Sequence, residues 1–194
     1  MIAQTPIRAP LAYDDRPQHL LRVRDVVAMV EAGVMLDSAP VELIEGVLVD
    51  MASKNRRHEL YKTWLTEIAV LSCAGSNFSA SPESTLYLGD DTYTEPDLCL
   101  CPRGTVPPEL AGTEVLLVVE IADTSARYDL NTKARIYATH GVRDYWVVDV
   151  NREVTVVHRQ PAGERYASVN DVAFDQSVQA LLVPPFQPRM AEAG

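Results

Sequence analysis

The sequence lacks the features that mark several large classes of protein. None of its apolar runs approaches the ~20 residues that span a bilayer. Its first residues lack the basic flank and apolar centre of a signal peptide, so we expect a cytoplasmic protein without membrane contact. Its three cysteines are Cys73, Cys99 and Cys101. An odd number without a secretory context predicts free thiols, and no neighbouring histidine or cysteine completes a zinc site.

Catalytic fingerprints and positive charge are also scarce. There is no Gly-Xaa-Ser-Xaa-Gly elbow, phosphate-binding glycine loop or dinucleotide fingerprint, so the enzyme classes that depend on them are poorly supported. The formal net charge of -10 argues against extensive, charge-driven binding to nucleic acid. It does not exclude a small site at which a metal ion supplies local positive charge.

The composition that remains is that of an ordinary globular protein. With 194 residues, 47% hydrophobic and 23% charged, the chain fits one domain with a substantial core. Residues 1–18 contain three prolines and show no periodicity, which predicts an N-terminal arm. We assign residues 19–183 to the domain and the proline-rich residues 184–194 to a C-terminal tail.

The periodicity of apolar residues predicts an α/β fold. Amphipathic patterns predict helices at 20–31, 58–73 and 129–140, with Gly33 and Gly141 ending the first and the last. Strands are predicted as a hairpin at 41–50 and at 84–88, 95–100, 115–122, 145–150, 153–159 and 165–169. This order predicts a mixed β-sheet flanked by α-helices on both faces. Residues 115–150 form one right-handed crossover unit in this interpretation.

Two carboxylates lie on these predicted strands. The run from Val115 to Val119 predicts a strand covered on both faces, and Glu120 follows it directly. A carboxylate half in the core costs several kcal/mol if its charge is unpaired, which a divalent metal with a lysine beside it would compensate. Asp97 lies on the predicted strand 95–100, and Lys133 lies on the helix that follows Glu120.

Each of these residues alone has an ordinary explanation. A carboxylate at a strand end is usually just solvated. Asp129 and Lys133 are spaced as a common surface pair of a helix, worth about 0.2–0.5 kcal/mol. The basic run at 54–57 either contacts phosphates at a cleft entrance or is a solvated loop.

The whole set of motifs is more specific, because it resembles the Uma2 family. These are restriction-endonuclease-like proteins of the PD-(D/E)XK nuclease superfamily. The resemblance covers roughly residues 20–170, and it rests on these motifs, in order: Glu42-Leu43-Ile44-Glu45-Gly46, His58, Pro96-Asp97, Val119-Glu120-Ile121, Asp129-Leu130-Xaa-Xaa-Lys133, Tyr137, Gly141-Val142 and Tyr145-Trp146-Xaa-Val148-Asp149. It implies a restriction-endonuclease-like core and an active site that depends on Mg²⁺ or Mn²⁺.

The resemblance also implies roles for individual residues. Asp97 matches the first acid of the superfamily motif and Glu120 the second, while Glu42 matches an acid that joins the metal site from the N-terminal part of the fold. The superfamily lysine two residues after the second acid is missing, because Ala122 stands there. The resemblance suggests that Lys133 supplies this amine instead.

A metal site of this kind has a defined set of ligands. We expect Asp97, Glu120, Glu42 and the backbone carbonyl of Ile121 to hold the ion. Lys133 would orient the attacking water or stabilise charge in the transition state, so Lys133→Ala is expected to abolish turnover and to leave folding largely intact. Acids brought together without a cation predict at least one raised carboxyl pKa. A histidine such as His58 at a helix start is more often a capping or packing residue than a ligand.

Three functions remain open from the sequence. The first is a metal-dependent endonuclease that hydrolyses phosphodiester bonds in DNA. The second is a non-catalytic or regulatory protein of the same fold that acts through protein-protein or oligomer contacts, which the acidic charge and Ala122 favour. The third is a metal-dependent hydrolase of another phosphate ester. Predicted β-strand edges, together with the two sites that double-strand cutting often needs, favour a homodimer.

Overall fold

The computed structural model describes residues 19–193, so the predicted arm at 1–18 lies outside the described residues. The helices are α1 Val23–Glu31, α2 Arg56–Cys73, α3 Ala126–Tyr128 and α4 Ala134–Thr139, with a π-helical turn at Asp129–Lys133. The strands are β1 Val41–Ile44, β2 Val47–Asp50, β3 Phe78–Pro82, β4 Leu86–Tyr87, β5 Tyr93–Thr94, β6 Leu98–Pro102, β7 Leu117–Ala122, β8 Asp144–Asp149, β9 Val154–Pro161 and β10 Tyr166–Ala173.

The strands form two sheets. The larger sheet has the order β10-β9-β8-β7-β6-β3, and the smaller has the order β2-β1-β5-β4. Strands β7 and β8 pair in parallel, as the predicted crossover unit requires, and the neighbouring pairs of the larger sheet are antiparallel. The predicted α/β fold with a mixed sheet is therefore confirmed.

Both faces of the larger sheet are covered, which explains the uninterrupted apolar run of β7. Successive side chains of a strand point to opposite faces. Val119 packs with Leu65 of α2 on one face, and Val118 packs with Tyr137 of α4 on the other. Because each face has its own helix, every position of β7 is buried. Glu120 is thus carried into the interior by the same strand.

Alternate side chains of β1 in the hairpin point to opposite sides. Ile44 joins the core on the α4 side of the larger sheet, whereas Leu43 packs with Val26 beneath α1. Glu42 is two residues from Ile44, so it points to the same side. Glu45 at the turn receives two hydrogen bonds from Arg135 of α4, at 2.8 and 2.7 Å. The hairpin is thereby fixed over the helix that directly follows Lys133.

One strand prediction was wrong in its extent, and one strand was not predicted. The predicted strand 95–100 is divided, because Thr94 ends β5 of the smaller sheet and Leu98 begins β6 of the larger one. Pro96 lies between them and has no N–H for a ladder, so Asp97 precedes its strand rather than lying on it. Strand β3 was not predicted, since its small and polar residues show no apolar alternation. It pairs with β6 in antiparallel register, Ser79 opposite Cys101.

The helical segment after β7 begins earlier than predicted and is not regular. It starts at Ala126, and the hydroxyl of Ser125 does not cap the helix backbone. The N–H of Ala134 donates to the carbonyl of Asp129 five residues earlier, which is the hydrogen bond of a π-turn. Gly141 ends the segment with a φ of 75°, a left-handed conformation that glycine adopts without strain, as predicted.

The chain after Val183 packs against the larger sheet. Phe186 stacks on Trp146 of β8 with 5.7 Å between ring centroids, and Met190 is buried in the same cluster. The domain boundary at residue 183 stays a prediction, although this core continues beyond it. Within residues 19–193, no helix is long and apolar enough to cross a membrane.

Candidate functional site

The four side chains predicted to form the site line one cavity of about 300 Å³, where the smaller sheet meets the larger one. Glu42 comes from β1, Asp97 from the residue before β6, Glu120 from β7 and Lys133 from the π-turn. Their exposed fractions are 2%, 5%, 4% and 6%. Charged groups this deeply buried require partners.

Lys133 is the central partner of these acids. Its Nζ lies 2.9 Å from Glu120 Oε1 and 2.9 Å from Glu42 Oε1. Burial lowers the pKa of Lys133, but the two carboxylates outweigh this effect and hold the pKa well above its usual value. The lysine is therefore a buried ammonium that joins the two sheets. The alternative of an ordinary surface pair with Asp129 is wrong, since both residues are buried.

Asp97 is held by two donors. Its Oδ2 accepts a hydrogen bond of 2.8 Å from the backbone N–H of Ile121 and lies 3.0 Å from His58 Nε2. His58 stands in the first turn of α2, where Asn55 caps the helix by accepting from the backbone N–H of His58. The imidazole is thus in the site itself. The contact of Ile121 is made by its N–H, and the expected role of its carbonyl as a metal ligand stays a prediction.

Each of the three acids uses only one oxygen in these contacts. Glu120 Oε1 accepts from Lys133 and from the Tyr137 hydroxyl. Glu42 Oε1 accepts from the Glu95 N–H and forms an ion pair with Lys133. Among the residues that the structure describes, the second oxygen of Glu42, Glu120 and Asp97 makes no hydrogen bond. Free carboxylate oxygens are the ligands that Mg²⁺ and Mn²⁺ prefer. The donor chemistry therefore fits a hard divalent cation.

The same side chains do not yet form a metal cage. Within residues 19–193, no three His, Cys, Asp or Glu side chains converge closely enough to hold an ion as they stand. The ion pairs of Lys133 with Glu42 and Glu120 account for this, because the ammonium occupies the position between the two carboxylates. Binding of a cation would need a shift of these side chains.

Other acidic side chains that line the cavity affect the pKa of Glu120. Burial raises the pKa of Glu120 well above its usual value, and the nearby Asp129, Asp97 and Glu42 raise it further, while Lys133 opposes them. The direction is the one that clustering of the acids predicts, although burial is its largest cause, and titration of the carboxyl groups is the test of that prediction. Lys54 and Lys133 are the lysines that line the cavity, and its carboxylates outnumber them.

The sequence matches the model of a known protein family. A model of the Uma2 family, described as "Putative restriction endonuclease", matches residues 35–191. The chain belongs to the Uma2 family. No curated protein matches its sequence.

A solved structure shows the same architecture. This Uma2 chain resembles the crystal structure of a "putative nuclease belonging to DUF820" from Anabaena variabilis, with a TM-score of 0.66. The two are 16% identical, and the match covers 85% of this chain and 96% of the other. At this identity the likeness shows the fold alone, and it confirms the restriction-endonuclease-like core that the motifs imply.

The Uma2 chain carries its amine on a helix rather than on the strand of the second acid. Ala122 is fully buried in the core on the α4 side, two residues after Glu120 on the same face of β7. Lys133 approaches Glu120 from the π-turn above that face. The geometry thus brings an amine to the second acid despite Ala122, while the catalytic role of that amine stays a proposal.

Two residues of the cavity wall were missed as site residues. Asp129 is buried, and its carboxylate accepts a hydrogen bond of 2.5 Å from the Ser125 hydroxyl. Burial raises its pKa to about 6, against the influence of Lys133 and of this hydrogen bond. Tyr128 lines the same cavity. The spacing of Asp129 and Lys133 was the available signal, since it places both on one helix face.

Proposed function

We propose that this Uma2 protein is a metal-dependent endonuclease that hydrolyses phosphodiester bonds in DNA. The observation that carries the proposal is that Asp97, Glu120, Glu42 and Lys133 line one cavity, with one oxygen of each carboxylate left for a ligand. The family description as a restriction endonuclease supports DNA as the substrate.

The residues have distinct roles in this proposal. Asp97, Glu120 and Glu42, together with the backbone carbonyl of Ile121, would hold Mg²⁺ or Mn²⁺. When bound, the ion supplies positive charge to the phosphate and activates the attacking water. His58 and the Ile121 N–H keep the carboxylate of Asp97 oriented.

Lys133 supplies fixed positive charge at the reacting group. An ammonium held in a buried site needs no reorganisation when charge develops on the phosphate. Its two carboxylate partners keep it protonated at neutral pH. In this role Lys133 orients the attacking water or stabilises the transition state.

A second candidate function has its own supporting observation. Lys133 pairs with both Glu42 and Glu120, so part of the acidic charge is compensated by the protein alone. Together with the net charge of -10, this favours a non-catalytic protein of the same fold that acts through protein-protein or oligomer contacts, for example as a homodimer. In that case the cluster has a purely structural role.

Calorimetric titration and a cleavage assay decide between the two candidates. Mn²⁺ and Mg²⁺ would be titrated into the wild type, Asp97→Asn and Glu120→Gln, and the same proteins would be incubated with supercoiled plasmid. We expect the wild type to bind metal and nick plasmid, and each variant to lose at least about 100-fold in rate, because a metal contributes several kcal/mol to transition-state stabilisation.

A matched control separates the site from a general loss of negative charge. Asp175 is an exposed acid outside the cavity, so Asp175→Asn is expected to bind metal and cut like the wild type. Circular dichroism would show that all variants are folded. Cleavage by Asp97→Asn at the wild-type rate would contradict the proposed site, and a wild type without metal-dependent cleavage of any DNA would favour the second candidate.

A further inference from the structure

The hydroxyl of Tyr128 has no hydrogen-bond partner among the described residues, although the atom is buried. Buried polar groups in folded proteins are nearly always paired, so an unpaired one calls for an explanation. Tyr128 lines the cavity that also contains Glu42, Glu120 and Lys133. A ligand that enters this cavity and reaches the hydroxyl would provide the missing partner.

The position of Tyr128 in the fold aims its side chain at the charged cluster. It ends α3, directly before the π-turn that carries Lys133. The ring centroid lies 5.9 Å from Lys133 Nζ, within the range of a cation–π contact. The ammonium and the phenol therefore occupy neighbouring positions on one wall.

The chemistry of the hydroxyl restricts the kind of ligand. Burial, followed by the charge of Glu42, raises the pKa of Tyr128 to about 12. At neutral pH the phenol is therefore protonated and is able to donate. A donor beside an ammonium suits an anionic acceptor, and phosphate oxygens accept from both kinds of group.

We propose that the Tyr128 hydroxyl donates a hydrogen bond to a non-bridging oxygen of the phosphate that the site cleaves. This inference rests on the proposed nuclease function and adds a substrate-binding residue to it. Lys133 and Tyr128 then contact the phosphate from the helical wall, while Glu42 and Glu120 face it from strands and Asp97 from the residue before β6. The phenol contributes a neutral donor that does not change the charge balance of the acids.

The test is Tyr128→Phe, which removes the hydroxyl and keeps the ring beside Lys133. Single-turnover cleavage of plasmid would be measured with Mn²⁺, together with the melting temperature. We expect the cleavage rate to fall about 10- to 100-fold, as for the loss of a hydrogen bond to a charged group. The melting temperature should be unchanged or higher, because the variant no longer buries an unpaired hydroxyl.

Tyr87→Phe is the matched control, since Tyr87 is exposed and lies outside this cavity. It should cut at the wild-type rate. A Tyr128→Phe cleavage rate within about twofold of the wild type would overturn the inference while leaving the nuclease proposal intact. A fall in rate accompanied by a lower melting temperature would also overturn it, since that result indicates a packing role.

A binding measurement keeps the inference testable if the wild type cuts nothing. Thymidine 5′-phosphate would be titrated calorimetrically into the wild type and Tyr128→Phe in the presence of Mn²⁺. Binding at least about fivefold weaker in the variant would support the phosphate contact even though the nuclease proposal had failed. Equal affinities, or no binding by the wild type, would overturn the contact.

Discussion

At the scale of single residues, Lys133 determines how the site is held together. Its ammonium is shared by Glu42 of one sheet and Glu120 of the other. Removing one member of a buried charged network leaves the others without compensation, which is strongly destabilising. The structure therefore changes one expectation from the sequence: we no longer expect a substitution of Lys133 to leave folding intact.

Lys133→Met keeps the length of the side chain and removes its charge. We expect the free energy of unfolding to fall by about 3–5 kcal/mol in metal-free buffer, because Glu42 and Glu120 lose their buried partner. Cleavage should be abolished if the protein is a nuclease. Urea denaturation and the plasmid assay measure the two effects.

Lys62→Met is the control for this substitution. The acids that pair with Lys62, Glu59 and Glu83, are 44% and 45% exposed, so their pairing is screened by solvent and its loss should cost about 1 kcal/mol or less. Equal stability of Lys133→Met and the wild type would show that the ion pairs contribute nothing to folding. Unchanged cleavage by that variant would remove Lys133 from the mechanism.

At the scale of elements, the regular segments were predictable and the irregular ones were not. The hairpin, α2 and the strands β7 and β8 follow from apolar patterns, which the structure buries fully on β7 and β8 and in part on the hairpin and α2. Strand β3 has no such pattern and is formed by pairing with β6, a tertiary effect. The π-turn Asp129–Lys133 could not be predicted from helical periodicity either, because that analysis uses a constant number of residues per turn.

The π-turn buries Asp129, and this has a consequence for stability. The pKa of Asp129 is raised to about 6, mainly by burial, whereas in the unfolded chain it is about 3.8. An acid whose pKa is higher in the folded than in the unfolded state makes the protein more stable at low pH, where the acid is protonated. This contribution is lost as the pH rises through the pKa of the folded state. The loss therefore develops between about pH 4 and pH 6 and is constant above it.

Asp129→Asn removes this titration and keeps an acceptor for the Ser125 hydroxyl. We expect the variant to be more stable than the wild type at pH 8 by about 1–3 kcal/mol, and nearly equal to it at pH 4. Urea denaturation at both pH values measures the difference. A constant difference at the two pH values would show that the carboxylate of Asp129 titrates normally.

At the scale of the whole molecule, the sequence motifs located the site but not its contacts. The family resemblance identified Asp97, Glu120, Glu42 and Lys133, and the structure brings these four together. The pairing of His58 with Asp97 joins residues from α2 and from the loop before β6, which no local pattern reveals. The sequence also did not predict how far the core extends. Residues 184–193 contain prolines and show no periodicity, yet Phe186 and Met190 are buried.

Phe186→Ala tests whether this last segment belongs to the domain. Phe186 is fully buried and stacks on Trp146, so its loss should lower the free energy of unfolding by about 3–5 kcal/mol. Leu181→Ala, at a position that is 49% exposed, should cost far less. Denaturation followed by tryptophan fluorescence gives both values. A small effect of Phe186→Ala would support the boundary at residue 183.

The location of the site across two sheets has a consequence for the order of folding events. Glu42, Asp97, Glu120 and Lys133 are far apart along the chain, and their elements meet only when both sheets have formed and docked. Contacts of this kind form late, because the closure of long loops must precede them. A nascent or partly folded chain therefore holds its acids apart. If the protein is a nuclease, its activity would therefore be confined to the fully folded molecule.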